Sequence, residues 1–548
     1  MTEEQSRQEE TRLENRGGHK RSGGHKRSGD GERSGEPGRP GIGMSSLIVM
    51  GGFVASKAIG VVRQALIGRA FGAGPELDAY YAAFKLPDLL LTLIAGGAVA
   101  TTFIPLFGAH LAAGDKDRAW RLASAVLNGL LIAMSAVALI AALLAPWLVR
   151  ALIAPGFDAA QQALTAQLLR TVLLSSLLFT ASSLVMSVLQ AHRRFLLPAL
   201  ADFFYDVGII GGALLLVPRY GIRGLAWGVV AGAGLHLLIQ VPGLIRVRAR
   251  YRPTLRTGDR GLRRLLRLMG PRILILGMFQ FVFLYTNNLA SRLPEGSVAA
   301  INVGWIVMQM PEVIFGMAIA IAAFPTLSQL AAQGDRARLG DTAAASLSAI
   351  LLTTLPSVVA LLMLGRAYVA LLFGGVTDGG GAAVYAATAA FTAGLLGHSL
   401  LELAARLFYA HQDTLTPFWV ALGATLLNVA LCRALVGPLG YAGLALANSI
   451  AVTLQSGVLL WWGWRTLVRA PWKPLLALAG RAALAAAGMA AALAALLALL
   501  PRLLPNAGSL LTALLGSLIG GLVYLLLLAL LSPRDVRALL ALARSKLT

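Results

Sequence analysis

Apolar stretches of roughly 20 residues, separated by short polar breaks, recur through nearly the whole of this 548-residue chain. Hydrocarbon offers no water to satisfy free backbone N–H and C=O groups, so a segment that crosses it must be a helix or a strand of a closed barrel. The runs are continuous and rich in Leu and Ala, without the alternation that barrel strands require. Charged residues make up 13% of the chain, against about 25% in soluble domains. A water-soluble enzyme is excluded, and the chain reads as an all-α polytopic membrane protein. Its single cysteine, Cys432, leaves no intrachain disulfide framework.

About fourteen transmembrane helices are predicted by the length rule. Their cores lie near 43–69, 79–107, 120–149, 163–191, 196–217 and 221–245, then 271–293, 298–330, 341–364, 382–410, 415–436 and 442–465, with two more at 474–499 and 508–531. The expected organisation is a disordered basic N-terminal tail (1–41), an N-lobe of six spans (42–246), a basic linker (247–270), a C-lobe of six spans (271–466), and a last pair of spans with the C-terminus (467–548). The tail carries a tandem Gly-Gly-His-Lys-Arg-Ser from Gly17 to Ser28 and has no apolar periodicity with which to build a core.

The formal net charge of +22 would suit nucleic acid, but its placement points elsewhere. Alternate loops collect Lys116, Arg118 and Arg121; Arg193 and Arg194; Arg336 and Arg338; and Arg465, Arg469 and Lys473, while the stretch from Arg246 to Arg267 alone holds nine arginines. The positive-inside rule puts these loops and both termini in the cytoplasm. Much of the charge is therefore a topology signal, and no nucleic-acid partner is expected.

The two six-span sets repeat each other. Lys85-Leu86-Pro87-Asp88, Phe103-Ile104-Pro105 and Ala112-Ala113-Gly114-Asp115 are matched by Gln309-Met310-Pro311-Glu312, Phe324-Pro325 and Ala332-Gln333-Gly334-Asp335. His192 and His411 sit in matching blocks, and Gly443 follows His411 at the interval by which Gly224 follows His192. Six is an even number, so both repeats enter the membrane in the same sense, as parallel repeats with a cavity between two lobes. The prolines break or kink spans two and eight, either for packing or because the freed backbone lines that cavity.

Ionisable groups inside spans mark pathways by default. Lys57 and Arg63 lie on span one with no acid between them, and two unpaired cations facing a cavity suit an anionic substrate, phosphate above all. The competing reading for Lys57 is snorkelling to the interface. Asp78 precedes span two and either caps it or serves as a gate partner across the outer face. Lys85, Asp88 and Glu312 border the proline breaks at the cavity mouth. Asp202 and Asp206, one turn apart on span five, suit either a coupling cation or a solvated cap. Glu402 and Arg406 have the spacing of an i,i+4 ion pair, or of a cavity pair. No catalytic constellation, metal-ligand spacing or phosphate-cradling loop appears, so the expectation is a non-enzyme without cofactors, coupled to the membrane potential or a monovalent cation.

One block is distinctive: Ser56-Lys57 through Arg63, Phe71-Gly72-Ala73-Gly74 to Asp78-Ala79-Tyr80, and Ala83-Phe84-Lys85-Leu86-Pro87-Asp88, ending in Phe103-Ile104-Pro105. It resembles the MurJ/MviN family, lipid II flippases of bacterial peptidoglycan synthesis within the MOP superfamily that includes the MATE exporters. Ala154-Pro155-Gly156-Phe157-Asp158 and Arg406-Leu407-Phe408-Tyr409-Ala410 to Thr416-Pro417 are also similar. The resemblance implies two MOP/MATE-like lobes and a cationic cavity for a pyrophosphate-linked disaccharide-pentapeptide. It also implies a groove for the polyprenyl tail on the last two helices. By motif position the cavity cations are Lys57 and Arg63, and the acid after span one is Asp78. The pattern departs at Leu91 and Ile306, where the family carries arginines, and in lacking an acid near Gly96.

The resulting reading is alternating-access flipping of the lipid-linked precursor across the bacterial cytoplasmic (inner) membrane, with membrane lipids and the cell-wall synthesis machinery as partners. The alternatives are an exporter of another polyprenyl-linked oligosaccharide and a membrane-embedded polyprenyl-phosphate transferase.

Overall fold

The computed structural model describes residues 56, 59–94, 98–254, 277, 280–373, 380–468, 471–504 and 508–533. The expected tail (1–41), linker residues 255–270 and the end of the chain from 534 lie outside the described residues. The described part is helical throughout. Nine helices are long and apolar enough to cross a membrane, ten if the pair bent by 43° at residue 393 counts as one span. The expectation of fourteen exceeds this count partly because spans one and seven are only partly described.

The first repeat comprises α1 (59–71), α2 (Pro75–Ile94), α3 (Ala98–Ala112), α4 (Lys116–Leu143), α5 (Ala159–Ala191), α6 (Leu196–Gly211) and α7 (Ile222–Leu238). The second comprises α8 (280–290), α9 (Ser297–Pro311), α10 (Ala318–Gln333), α11 (Arg336–Phe373), α12 (Gly380–Thr392), α13 (Leu395–Ala410) and α14 (Leu415–Thr466). The range of α14 holds the two spans expected at 415–436 and 442–465, divided by a kink at Gly440, which leaves helical geometry (φ 56°). The last two helices are α15 (Trp472–Leu503) and α16 (Ser509–Leu531).

Backbone geometry carries the duplication seen in the sequence. Left-handed residues recur at corresponding turns: Gly114 and Gly334, Arg193 and Gln412, Gly221 and Gly440. Asp115 accepts from Arg118 N at 2.9 Å and Asp335 from Arg338 N at 3.0 Å, so the same N-terminal cap starts the fourth helix of each repeat, α4 and α11. His192 Nδ1 donates to Val188 O and His411 Nδ1 to Leu407 O, both at 2.9 Å, closing equivalent helix ends.

Within each lobe the packing uses small residues. Gly208 of α6 and Gly212, in the π-helical turn that continues it, meet Gly232 and Gly228 of α7, so the two backbones touch. In lipid this close approach gives the van der Waals contact that holds helices together. Helices α15 and α16 pack on each other and on α11 through Leu352, Leu364, Leu478, Met489 and Tyr524, and Tyr524 Oη donates to Leu352 O at 2.9 Å. Their other faces expose Leu476 and Leu484 on α15 and Leu514, Leu518, Leu522, Leu526 and Leu530 on α16, an apolar surface suited to acyl chains. Span eight is not broken at Pro311. It continues from α9 into α10 through a π-helical segment, Glu312–Met317, which absorbs the missing proline N–H.

Candidate functional site

The repeats meet at the face opposite the arginine-rich loops, where α2, α5, α9 and α12 begin. Asp78, only 1% exposed in the first turn of α2, accepts from Gly296 N through Oδ2 and from Ala299 N through Oδ1, each at 2.6 Å. It does not cap its own helix. It caps α9 of the other lobe, where the helix dipole and unpaired N–H groups favour a carboxylate. Gly296 has φ 85°, and a Cβ there would strike Ala73 O. The 154–158 loop adds Gly156 N donating to Ser291 Oγ at 3.2 Å, while Asn287 Nδ2 donates to Ile153 O and Asn288 Nδ2 to Leu152 O at 2.9 and 2.8 Å. A Cβ on Gly156 would collide with Ser291 O and the Arg292 backbone. Arg69 Nη2 donates to Leu371 O at 3.1 Å. Together these contacts make a seal of hydrogen bonds between lobes.

Beyond the seal lies a cavity of about 410 Å³ between the lobes, with Lys85, Asp88, Thr92, Gln280, Asn302 and Asn448 among its polar walls. Lys85 Nζ donates to Asn302 Oδ1 at 2.6 Å and sits 5.8 Å from the centre of the Phe283 ring; Gln280 Nε2 donates to Thr92 Oγ1 at 2.9 Å. Leu91, at the position where the resemblance leads one to expect arginine, also lines this wall. Lys85 is therefore accompanied by Asp88 and not by a second cation on the same helix.

Arg63 differs from expectation. The sequence reading took it as unpaired and facing the cavity, but Nη1 lies 2.5 Å from Asp206 Oδ1, with the two side chains 25% and 9% exposed. A guanidinium held in a bundle demands a counter-charge, and the acid comes from α6, too distant in sequence for spacing rules to find. Asp206 is thus neither a solvated cap nor a free cation ligand. Asp202 faces His236 Nε2 at 3.4 Å, and His236 Nδ1 meets Ser182 Oγ at 2.6 Å, with Gln240 Nε2 donating to that hydroxyl at 2.7 Å. Lys57 lies outside the described residues.

A second cavity, about 380 Å³, lies within the C-lobe and shares Phe283, Trp305 and Asn448 with the first. Glu312 and Glu402 line it. Arg406 Nη1 is 2.5 Å from Glu402 Oε2 and also donates to Glu402 O, the i,i+4 pair. Lys85 and Asp88 therefore share one chamber and Glu312 stands in another, so the three do not form one mouth. The polar groups that sequence reasoning missed are Asn302, Gln280 and Asn448; an amide in an apolar run was the available signal.

Two helical lobes of parallel topology, sealed at one end around a polar chamber, define a membrane carrier of the exporter type. The chain is similar to a MATE-family transporter of the MOP superfamily solved facing inward (TM-score 0.66, 16% identity, 77% of this chain and 98% of that one). It is also similar to a lipid II flippase MurJ solved in an inward closed conformation (TM-score 0.74, 23% identity, 88% of this chain and 98% of that one). In sequence it is 30% identical over 431 residues to the lipid II flippase MurJ of Burkholderia cenocepacia, covering 77% of this chain and 83% of that protein. It is 30% identical over 399 residues to a probable lipid II flippase MurJ of Thermotoga maritima, covering 72% and 80%. The lipid II flippase MurJ family matches residues 67–517, and the chain belongs to that family. It is a family of carriers and not of enzymes, which sets the transferase reading aside.

Proposed function

We propose that this protein flips lipid II, the undecaprenyl-pyrophosphate-linked peptidoglycan precursor, from the cytoplasmic to the outer leaflet of the bacterial inner membrane. The observation that carries the reading is the Asp78 seal above a polar inter-lobe cavity, in a chain whose relatives bear that name. With both termini cytoplasmic by the positive-inside rule, the seal closes the outer face. The headgroup then enters from the arginine-rich side.

Lys85 and its Asn302 partner offer donors to the headgroup within the cavity. Lys57 and Arg63 take the diphosphate, for which Arg63 must exchange Asp206 for phosphate oxygens, a swap of one anionic acceptor for another. Breaking the Asp78 contacts and closing the opposite side presents the headgroup outside, where cell-wall synthesis enzymes receive it. The tail stays in lipid, along the apolar faces of α15 and α16. Energy comes from the membrane potential or a monovalent cation. The test is complementation of a conditional lipid II flippase mutant, with intracellular precursor measured. Restored growth and normal precursor levels are expected, and precursor accumulation despite full expression would refute the reading.

A further inference from the structure

We propose that the C-lobe cavity is a binding site for an aliphatic primary ammonium group, held by Glu312. This deepens the carrier reading, on which it rests for the source of the amine: a side arm of the transported headgroup. Glu312 is 8% exposed and opens the π-helical segment after Pro311, a type of local irregularity that recurs at functional sites. Its carboxyl lines the cavity and makes no hydrogen bond or ion pair with any described residue. The other carboxylate of the chamber, Glu402, is already engaged by Arg406 at 2.5 Å. Among the described residues, two carboxylates of this chamber thus share the single guanidinium of Arg406, which leaves one acid in excess inside the membrane, where charge is tolerated when it meets its complement.

The shape of the chamber selects among cations. Its volume of about 380 Å³ is several times the roughly 30 Å³ share of one water, so an occupant with a body fits better than a bare ion. Met308, Val313 and Leu401 give apolar walls for a methylene chain, and the amides of Gln455 and of Asn428, whose Oδ1 also accepts from the Cys432 thiol, add acceptors on the walls of the same cavity for the three N–H donors of an ammonium. Phe283, Trp305 and Asn448 line both cavities, so the two chambers adjoin and an amine held in this one lies beside a headgroup anchored between the lobes.

The experiment is calorimetric titration of the full chain in lipid nanodiscs with n-pentylammonium chloride, against n-pentanol and sodium chloride. Saturable pentylammonium binding is expected, with affinity lowered about tenfold or more by Glu312→Gln. Pentanol is expected to bind weakly and sodium to compete poorly. In the unaltered protein, pentylammonium should also protect Glu312 from carbodiimide labelling read by mass spectrometry, which needs no variant to fold. Equal affinity in a folded Glu312→Gln protein, equal binding of pentanol, displacement by equimolar sodium or absence of protection would overturn the site. None of these readouts uses a diphosphate. Their failure alongside intact lipid flipping removes the ammonium site alone, and their success in a protein that moves no lipid refutes the carrier reading alone.

Discussion

Replacing Asp78 with alanine should open the outer seal. The carboxylate accepts two backbone N–H groups at 2.6 Å and is almost wholly buried. Hydrogen bonds to charged groups contribute about 1.5–3 kcal/mol each, and losing an N-cap costs about 0.5–2 kcal/mol. Because water enters the vacated space and satisfies part of the loss, about 3 kcal/mol is the expected penalty on the sealed state, roughly two decades in the ratio of sealed to open forms. A protein sealed about 99% of the time would then divide near evenly between the two. Spin labels at Ala159→Cys on α5 and Ala382→Cys on α12, both exposed near the seal, in a Cys432→Ala background, report this ratio by double electron–electron resonance. The expected result is one short distance in the parent protein and a second, longer population with Asp78→Ala. Asp78→Asn keeps one acceptor and should fall between them. An unchanged distance distribution in a folded Asp78→Ala protein would refute the gating role.

Gly156→Leu should shift the same distance distribution toward the open form, because its side chain must occupy the space of the Ser291 and Arg292 backbone. Arg63→Gln alone should lower thermal stability by about 3 kcal/mol because the buried Asp206 carboxylate loses its Arg63 partner, and adding Asp206→Asn should recover part of that loss; an uncoupled pair in a double-mutant cycle would count against the ion pair. Tyr524→Phe removes the hydrogen bond to Leu352 O and should loosen α16 by about 1 kcal/mol, read as faster hydrogen exchange of that helix. At the start of α14, burial raises Asp413, but hydrogen bonds from the Thr416 side chain and from the N–H groups of Thr416 and Leu415, with the nearby His411, together outweigh it and hold the carboxyl below its ordinary value. Its contribution is present in full above the usual aspartate range and is lost as pH falls through the lowered value, and Asp413→Ala should remove that part of the acid dependence of unfolding.

The membrane class, the duplication and most spans were legible because they rest on local signals: apolar length, loop arginines and repeated motifs. The Glu402–Arg406 pair was legible for the same reason, since one helical turn fixes its geometry. The partner of Arg63 was not. Asp206 lies on another helix, and nothing in the spacing of span one requires an acid there. Asp78 was readable as a cap or a gate, and only the three-dimensional approach of Gly296 to Ala73 made it a cap for the opposite lobe. The division of polar groups into two chambers was likewise hidden. Pro311 marked a disturbance in span eight, but the π-helical segment that follows it, packed through Gly316 against Ser399 of α13, was not readable from the proline alone.

Reconstitution into liposomes offers the most direct measurement: the fraction of a polyprenyl-diphosphate-linked disaccharide-peptide accessible to a membrane-impermeant reagent, followed over time with the intact protein and with Arg63→Gln. Rapid exchange between leaflets with the intact protein, lost in the variant and absent for a neutral lipid of equal size, is the predicted result. Equal rates with and without protein, or movement that ignores the diphosphate, would contradict it.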